Sequence, residues 1–461
     1  MDKNTTKDKK KSTNGFPTIQ PNAAGIDIGS ASHFVAVPID RDDQPVKEFL
    51  SFTDDLIAMV AWLKKCGITT VAMEATGVYW IPVYEILEQN GFEVKLVNAR
   101  HLKNVSGRKT DVLDCQWIQR LHSCGLLDSS FRPEDQIIQL RGFIRHRSVL
   151  VEEASSKVQH MHKALVLMNI QLKNVISDIT GVTGMKIIRA IVAGERNPEK
   201  LANHREGKCK NDEKTIAKSL RGNYRSENIF SLKQALEIFD IYQLKIQECD
   251  QEIAKLLTLF EDRRDTQKRN DPSPRSPRGR KTSAEGLFAL NLQKELKRMA
   301  GVDITEIPGI DTTTGLKLIS EIGLDMSRWK TTKHFVSWLG LCPNNKVSGG
   351  KRLSSRTKPV PNRAAIALRI AASTLYKNKT ALGAFLRRLK ARLGPAKAIT
   401  AAAHKIARQL YVMLKTKTSY TELGNKYYEE RYRDRLVKNL KKKAEDLGFA
   451  LIAKPNDAVT A

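Results

Sequence analysis

Residues 23–125 alternate short apolar, β-branched runs with stretches of helical periodicity, and no other feature constrains the fold of this chain as strongly. A strand repeats every two residues and a helix about every 3.6, so the two patterns are distinguishable in sequence. A β-rich beginning followed by β-α-β units predicts a mixed α/β sheet. The predicted strands are Ala24–Val37 with a turn at Gly29-Ser30, Val46–Phe52, Thr69–Glu74 and Glu93–Val97, and the predicted helices are a stretch through Lys65, Tyr79–Asn90 and Asp111–Ser123.

The remainder of the chain has mostly helical patterns. Two long amphipathic stretches joined by a Gly- and Asn-broken insert predict an antiparallel coiled-coil arm. A later Arg-, Pro- and Ser-rich stretch is typical of a disordered linker. The predicted organisation is a disordered basic tail at 1–20, an α/β domain at 21–133, the helical arm at 134–262, the linker at 263–286, an all-α domain at 287–417 and a charged tail at 418–461.

The chain is strongly basic: 78 Lys and Arg residues against 50 Asp and Glu residues give a formal net charge of +28. Such an excess favours a polyanionic partner, either nucleic acid or an acidic membrane surface. Every apolar run is short and interrupted by charge, and no apolar signal core follows the N-terminal lysines, so neither a membrane span nor secretion is expected. The expected partner is therefore nucleic acid, and the expected location is cytoplasmic and nucleoid-associated. The six cysteines form no CxxC pair, which predicts reduced thiols and no zinc site.

Four carboxylates fall at positions where a metal site is predicted. Asp27 lies between Ile26 and Ile28 in a predicted strand, where an unliganded carboxylate is costly. Glu74 ends a later strand, and Asp111 and Asp114 share one face of a predicted helix. In an RNase H-like topology the first strand, the fourth strand and a later helix converge at one end of the sheet. Hard divalent cations relieve the repulsion between such acids, and Mg²⁺ suits carboxylate oxygens.

Each acid also has an ordinary structural interpretation when it is taken alone. Asp27 would serve as a turn cap, Glu74 as the partner of a basic side chain, Asp111 as a helix N-cap and Asp114 as a favourable first-turn charge. An actin-like ATPase is a rival interpretation, because the GIDIGS stretch resembles the first phosphate loop of that fold. The rival needs a second phosphate loop and an adenosine site, and the sequence contains neither pattern.

Two further patterns lie in the second half of the chain. Residues 304–323 match a helix-hairpin-helix, in which Pro308-Gly309 would present backbone N–H groups to a phosphate. Ser348 precedes two glycines among basic residues, which suits close approach and binding of a phosphodiester. From these residues alone, a phosphate-binding loop without covalent chemistry is at least as good an interpretation, and Ser354 and Ser355 are competing serines.

Together these blocks resemble the DEDD insertion-sequence transposases, known as bridge-RNA-guided recombinases. The resemblance covers about residues 23–125 and 300–380, with the helical arm between them in the expected place. Four separate motifs occur in the family's order. The matching stretches are GIDIGSASH, AMEATGVYW, LVNARHLKNVSGRKTDVLDCQWI, and IPGIDTTTGLKLISEIG with LGLCPNNKVSGGKR.

The resemblance implies an RNase H-like (RuvC-like) N-terminal domain and a C-terminal serine transposase domain. It assigns the four acids to Mg²⁺ binding and catalysis, and Ser348 to a nucleophile that forms a transient 5′-phosphoserine bond to DNA. It also implies a homotetramer with composite active sites and an element-encoded guide RNA that pairs with donor and target DNA. The residues expected to contact nucleic acid are Lys109, Gly309, Lys346, Lys351, Arg352, Arg356, Lys358 and Arg363.

The leading hypothesis is therefore a metal- and serine-dependent DNA recombinase. A Holliday-junction resolvase or structure-specific nuclease is the alternative enzyme, and it would use the acids without Ser348. A nucleic-acid-binding factor without catalysis, in which the acids hold only structural ions, is the third hypothesis.

Overall fold

A five-stranded mixed sheet organises the N-terminal part of the chain, with strand order β3-β2-β1-β4-β5. The computed structural model describes residues 17–98, 111–207, 209–264, 291–360 and 362–452. Strand β2 is antiparallel to β1 and β3, whereas β4 is parallel to β1 and β5. The strands are β1 (Ala23–Ile28), β2 (Ser32–Ala36), β3 (Val46–Leu50), β4 (Thr70–Glu74) and β5 (Glu93–Val97).

The two faces of this sheet are covered, among the residues described, by the helices α1 (Thr53–Lys65), α2 (Trp80–Gln89) and α3 (Asp111–Ser123). Helices α1 and α2 cover one face, where they share an apolar core with Ile26 of β1 and Met73 of β4. On the opposite face, Ile118 of α3 packs with Ala72. The predicted mixed α/β domain is confirmed, and its strand order is consistent with an RNase H-like fold.

The chain divides into two compact units, Met1–Arg132 and Pro133–Ala461. In the second unit, α4 (Asp135–Leu167) and α9 (Ser226–Thr258) form a long helical pair. They run antiparallel, because Arg147 in the first half of α4 pairs with Asp250 in the second half of α9, while Leu165 near the end of α4 shares a core with Leu232 near the start of α9. The short helices between them, α5 (Leu172–Val175), α6 (Val182–Val192), α7 (Pro198–Ala202) and α8 (Glu213–Ser219), share an apolar core with the far end of the pair.

Within its described residues, the C-terminal part is helical apart from one two-stranded hairpin. The base of the arm is joined to it by Arg141, which donates to the carbonyl oxygens of Ser320 and Glu321, and by Arg145, which binds the Glu321 carboxylate with two hydrogen bonds. The elements are α10 (Leu292–Ala300), a 3-10 turn (Ile304–Glu306), α11 (Thr312–Ile322), α12 (Thr332–Trp338), β6 (Lys346–Ser348), β7 (Lys351–Ser354), α13 (Arg363–Thr374), a 3-10 turn (Leu375–Lys377), α14 (Ala381–Leu393), α15 (Pro395–Thr416) and α16 (Gly424–Asp446).

The predicted helical character of this second unit is confirmed. The predicted disorder of the tail at 1–20 and of the linker at 263–286 falls almost entirely outside the described residues. Across the ranges that the structure describes, no helix combines the length and the apolar composition that a membrane span needs.

Candidate functional site

Asp27 and Glu74 lie at the carboxyl ends of two neighbouring parallel strands. The register pairs Gly25 with Ala72 and Ile26 with Met73, so Asp27 and Glu74 occupy the next positions along β1 and β4. Alternation along a strand puts them on the face that carries Gly25 and Ala72, which is the face covered by α3. The local sequence thus brings two of the four predicted acids to one edge of the sheet.

Helix α3 packs directly on the backbone of β1 at Gly25. A Cβ at Gly25 would lie 2.2 Å from the backbone nitrogen of Gln119 and 2.5 Å from the carbonyl oxygen of Cys115. Only glycine permits this approach, because such distances lie far inside van der Waals contact. The first turns of α3, which carry Asp114, are therefore held close to the strand that carries Asp27.

The pKa of the Cys115 thiol reflects the negative charge of the nearby acids. Burial, together with the charge of Asp27 and a smaller contribution from Asp114, raises the pKa of the Cys115 thiol to about 12. Two of the predicted metal-binding acids therefore lie near the same buried side chain. Asp114 and Asp27 are both half-buried, which leaves their carboxylates partly accessible.

The set of donors suits a hard divalent cation, since it consists of carboxylate oxygens alone. Glu74 receives a long hydrogen bond of 3.4 Å from the hydroxyl of Thr76. Among the described residues, however, no three His, Cys, Asp or Glu side chains stand together as a metal site. Asp111 begins α3, but its side chain falls outside the description, as does the whole of Lys109. The four-acid metal site therefore stays a prediction.

Ser348 is the last residue of β6, directly before a two-residue turn. Gly349 and Gly350 both have positive φ, +54° and +74°, as the turn of a tight hairpin requires. A Cβ at either glycine would meet nothing within 4 Å, so the requirement for glycine is conformational rather than steric. The Ser348 hydroxyl is exposed, and the described chain offers it no hydrogen-bonding partner.

The two competing serines differ from Ser348 in their surroundings. Ser354 is half-buried at the end of β7, and its hydroxyl accepts a hydrogen bond of 3.3 Å from the backbone N–H of Arg356. Ser355 is exposed but follows the end of the strand. Among the three, Ser348 alone stands at the hairpin turn.

Basic side chains surround this hairpin, and all are exposed. Lys351 lies directly opposite Ser348 in the strand register, and Arg352 lies opposite Val347. No ion pair within the described ranges neutralises any of these side chains. The full set is Lys346, Lys351, Arg352, Arg356, Lys358 and Arg363, the same basic residues that the sequence analysis selected in this half of the chain.

The Pro308-Gly309 turn lies between the Ile304–Glu306 3-10 turn and α11. Gly309 has φ +93°, and a Cβ there would lie 2.6 Å from the carbonyl oxygen of Ala371 in α13. The amino end of α11 is capped by Asp311, whose carboxylate accepts from Thr314 N at 2.6 Å. The glycine thus has a packing role, and the cap places a negative charge where a phosphate was expected. Contact of Gly309 with nucleic acid stays a prediction.

A cluster of tyrosines and arginines in the C-terminal region was not predicted from the sequence. Residues 418–461 were predicted to be a charged tail, whereas α16 packs against α14 and lines a cavity with α15. A signal was available: Tyr427, Arg431 and Arg435 recur at a spacing of four residues, and so do Tyr428 and Tyr432.

Comparison with protein families gives two matches. A DEDD model of the IS110 type, described as a transposase, matches residues 24–170. A second model, described as transposase IS116/IS110/IS902 family, matches residues 303–385. The first range includes all four predicted acids, and the second includes the Pro308-Gly309 turn and Ser348. No curated protein matches the chain.

Proposed function

We propose a mechanism by which this chain, an enzyme of transposition that carries IS110-family transposase domains, breaks and rejoins DNA. The reaction uses Ser348 as the nucleophile and the acids around Asp27 and Glu74 as the metal-binding part of the active site. The observation that carries the proposal is the position of Ser348. Its hydroxyl is exposed, has no hydrogen-bonding partner in the described chain, and precedes a Gly-Gly turn in a hairpin of basic residues.

In the first step, the Ser348 oxygen attacks the phosphorus of a DNA phosphodiester. The new O–P bond replaces the bond between phosphorus and the 3′ oxygen, so the 5′ end is held as a phosphoserine. The 3′ oxygen leaves with the proton that the serine loses. In the second step, a 3′ hydroxyl of the exchanged strand attacks the same phosphorus, the phosphoserine bond breaks and the proton returns to Ser348. The phosphoserine ester conserves the energy of the phosphodiester bond that was broken, so no nucleotide or redox partner is consumed.

The basic residues of the hairpin position the phosphodiester. Lys351, directly opposite Ser348, is placed to contact the oxygens of the attacked phosphate, where negative charge increases during attack. Arg352 and Arg356 extend the positive surface along the DNA backbone. Such contacts bind any sequence, so the choice of site must come from another component.

The acids contribute the second part of the proposed site. Asp27, Glu74, Asp111 and Asp114 are the residues that would hold Mg²⁺, in keeping with the divalent-metal dependence that a DEDD transposase domain suggests. A bound divalent cation supplies charge neutralisation at the phosphate and lowers the cost of removing a proton from an attacking oxygen. The packing of α3 on Gly25 positions Asp114 relative to Asp27.

The proposal extends to the assembly. By the family resemblance, an element-encoded guide RNA pairs with donor and target DNA, and the working enzyme is a homotetramer. The support within the chain is its formal charge of +28, which suits simultaneous binding of two kinds of nucleic acid.

The test is a junction assay for the circularised element, with the gene between its native flanks in cells. Wild type should yield junctions, and Ser348→Ala and Asp27→Ala should each reduce them by at least about a thousandfold. Ser355→Ala is the matched control, since it removes an exposed hydroxyl from the same loop and should leave junction formation intact. DNA binding should survive in all three variants.

A resolvase or structure-specific nuclease would give a different pattern. Junctions that persist in Ser348→Ala but vanish in Asp27→Ala would exclude the serine mechanism and leave a metal-dependent nuclease. Trapping adds an independent readout: denatured wild-type protein should retain covalently bound 5′-labelled DNA, and Ser348→Ala should not.

A further inference from the structure

The C-terminal helices line a cavity whose wall lies mostly beyond the two ranges matched by the transposase models, with only Thr332, Ala381 and Leu382 inside the second range. It has a volume of about 410 Å³ and is lined by residues of α14, α15 and α16, of the segment before α16, and by Thr332 of α12. Pockets that bind small organic ligands begin at about 300 Å³. The cavity is therefore large enough for one nucleotide.

Four cations line this cavity without any acidic residue among the described side chains of its wall. Lys405 and Arg408 come from α15, and Arg431 and Arg435 come from α16. None of them takes part in an ion pair with another described residue. Burial lowers the pKa of the Lys405 ammonium, and the positive charges of Arg435 and Arg408 lower it further. The cations thus repel one another, and an anion in the cavity would relieve that repulsion.

Glu422 lies between the wall residues Thr421 and Leu423 in sequence, but its carboxylate does not line the cavity. One carboxylate oxygen accepts the backbone N–H groups of Ala381 and Gly424, and the other accepts the hydroxyl of Tyr420. In the described part of the chain Glu422 therefore forms no ion pair with the four cations of the wall.

Tyrosine side chains supply the rest of the wall. Tyr428 packs edge-on against Phe385 with ring centroids 6.1 Å apart, and the Arg388 guanidinium lies 3.4 Å from the ring centroid of Tyr432. Tyr427 is the more open ring at 38% exposure; its hydroxyl accepts a hydrogen bond from Arg431, whose guanidinium carbon lies 5.6 Å from the ring centroid. Rings beside cations that form no ion pair are the arrangement that binds a base through its face and a phosphate through its charge.

We propose that this cavity binds an unpaired nucleotide of a single-stranded nucleic acid, with the phosphate on Arg431 and Arg435 and the base on Tyr427. Duplex nucleic acid does not fit this role, because its base faces are covered by stacking. The inference rests on the proposed function only in taking nucleic acid as the enzyme's partner, and it adds a site outside the catalytic residues.

The test measures binding of a fluorescein-labelled single-stranded RNA of about ten uridines, the matching DNA strand and a duplex of equal length to the full chain. Arg431→Glu and Arg435→Glu should each weaken single-strand binding by about tenfold. Arg433→Glu is the matched control, since Arg433 is an exposed arginine of the same helix that does not line the cavity. It should weaken binding by no more than about twofold. Arg435→Glu brings a carboxylate toward Lys405, so folding should survive, and a thermal melt checks this.

The aromatic contact has its own test. Tyr427→Leu should weaken single-strand binding by about fivefold or more, whereas Tyr427→Phe, which keeps the ring, should bind within about twofold of wild type. Equal binding by Arg433→Glu and Arg435→Glu would overturn the proposal. An equal loss on duplex and on single strands would overturn it as well, since that result indicates a general electrostatic surface.

The same assay distinguishes RNA from DNA, and a nucleotide within a strand from a free nucleotide. Preference for RNA or for DNA identifies the strand and supports the site, whereas binding of free uridine monophosphate without binding of either strand would overturn it. Because no cleavage is measured, failure here leaves the chemistry of Ser348 untouched, and failure of the Ser348 test leaves this site standing.

Discussion

Ser348 and Lys351 face one another across the Gly349-Gly350 turn, so an exposed hydroxyl and an exposed ammonium lie on the same side of the β6-β7 hairpin. Their separation depends on a turn of only two residues. The conformation of those residues therefore controls where the proposed nucleophile stands relative to the nearest cation.

Gly350→Ala is expected to reduce junction formation by about tenfold, because an L-residue with positive φ costs about 1–2 kcal/mol and the hairpin would relax away from it. The melting temperature should not change, since the hairpin is exposed. Gly350→Asn should be better tolerated, because asparagine adopts this conformation more readily. Gly91→Ala, with φ +86° and equally open surroundings, is the control for backbone strain elsewhere. Full junction yield from Gly350→Ala would contradict the prediction.

Neutralising Lys351 and Arg352 should lower the salt dependence of DNA binding. Each phosphate contact releases counterions, so the slope of log affinity against log salt should fall by about one for each of Lys351→Gln and Arg352→Gln. The measurement is a titration of labelled duplex over a range of salt concentrations. Lys233→Gln, on the exposed surface of the arm and beside Glu237, should leave the slope unchanged. A flat salt response of the wild type would refute a phosphate-dominated interface.

Gly25→Ala should destabilise the protein by about 3 kcal/mol, because the new methyl group would overlap the backbone of α3 at Cys115 and Gln119. Urea denaturation followed by tryptophan fluorescence gives the free energy of unfolding. Gly142→Ala is the opposite control: it lies exposed in α4 with no neighbour near its Cβ, and it should stabilise by about 0.5–1 kcal/mol. A neutral Gly25→Ala would mean that α3 does not pack on β1 as described.

His122 should make stability depend on pH. It is fully buried with its Nε2 2.9 Å from the hydroxyl of Thr70, and burial followed by the charge of Lys95 lowers its pKa from 6.5 to about 4. Above pH 6.5 both states are neutral, whereas between 6.5 and about 4 only the unfolded state takes up the proton. The free energy of unfolding should therefore fall by about 2 kcal/mol between about pH 7 and about pH 5.

His122→Gln should remove most of that fall. His33, buried with a lowered pKa as well, contributes in the same direction and will leave a smaller slope. His160→Gln is the matched control, because His160 is exposed. An unchanged slope in His122→Gln would assign the pH dependence to other groups.

The Arg147–Asp250 pair should hold the two arm helices together. Their side-chain atoms lie 2.5 Å apart, and the Asp250 side chain is only 4% exposed. Asp250→Asn should cost about 3 kcal/mol in the free energy of unfolding, because it leaves a largely buried guanidinium without its countercharge. Glu252→Gln breaks an exposed pair with Lys255 on the same helix and should cost less than about 0.5 kcal/mol. Similar costs for both substitutions would show that burial does not determine how much the Arg147–Asp250 pair stabilises the protein.

Local pattern was sufficient to predict the sheet and the position of its acids. Strand β5 and helix α3 have the predicted bounds, and Asp27 and Glu74 fall at the ends of neighbouring strands because both follow from short-range alternation. The serine before two glycines was predicted as a loop in an all-α domain; the short hairpin that carries it was not predicted, nor was the engagement of Ser354 by its own loop.

Contacts between residues that are distant in sequence could not be predicted. Gly309 packs on Ala371, 62 positions later, and a single sequence carries no signal of that pairing. The packing of helix α16, which was predicted only as part of a charged tail, was missed for a different reason. The helix buries no residue fully, so it has no apolar stripe to detect, and it is held by tyrosines and arginines such as Tyr432 and Arg388.

The base of the arm has a mechanical consequence. Arg141 and Arg145 grip the last turn of α11, and α11 packs on α13, the helix that follows the serine hairpin in sequence. Each arm helix has 33 residues and spans about 50 Å, so the far end of the arm lies a long way from its base at α11. This far end carries the apolar cluster around Ile187. We therefore expect a displacement of that far end to reach α11 and, through it, α13.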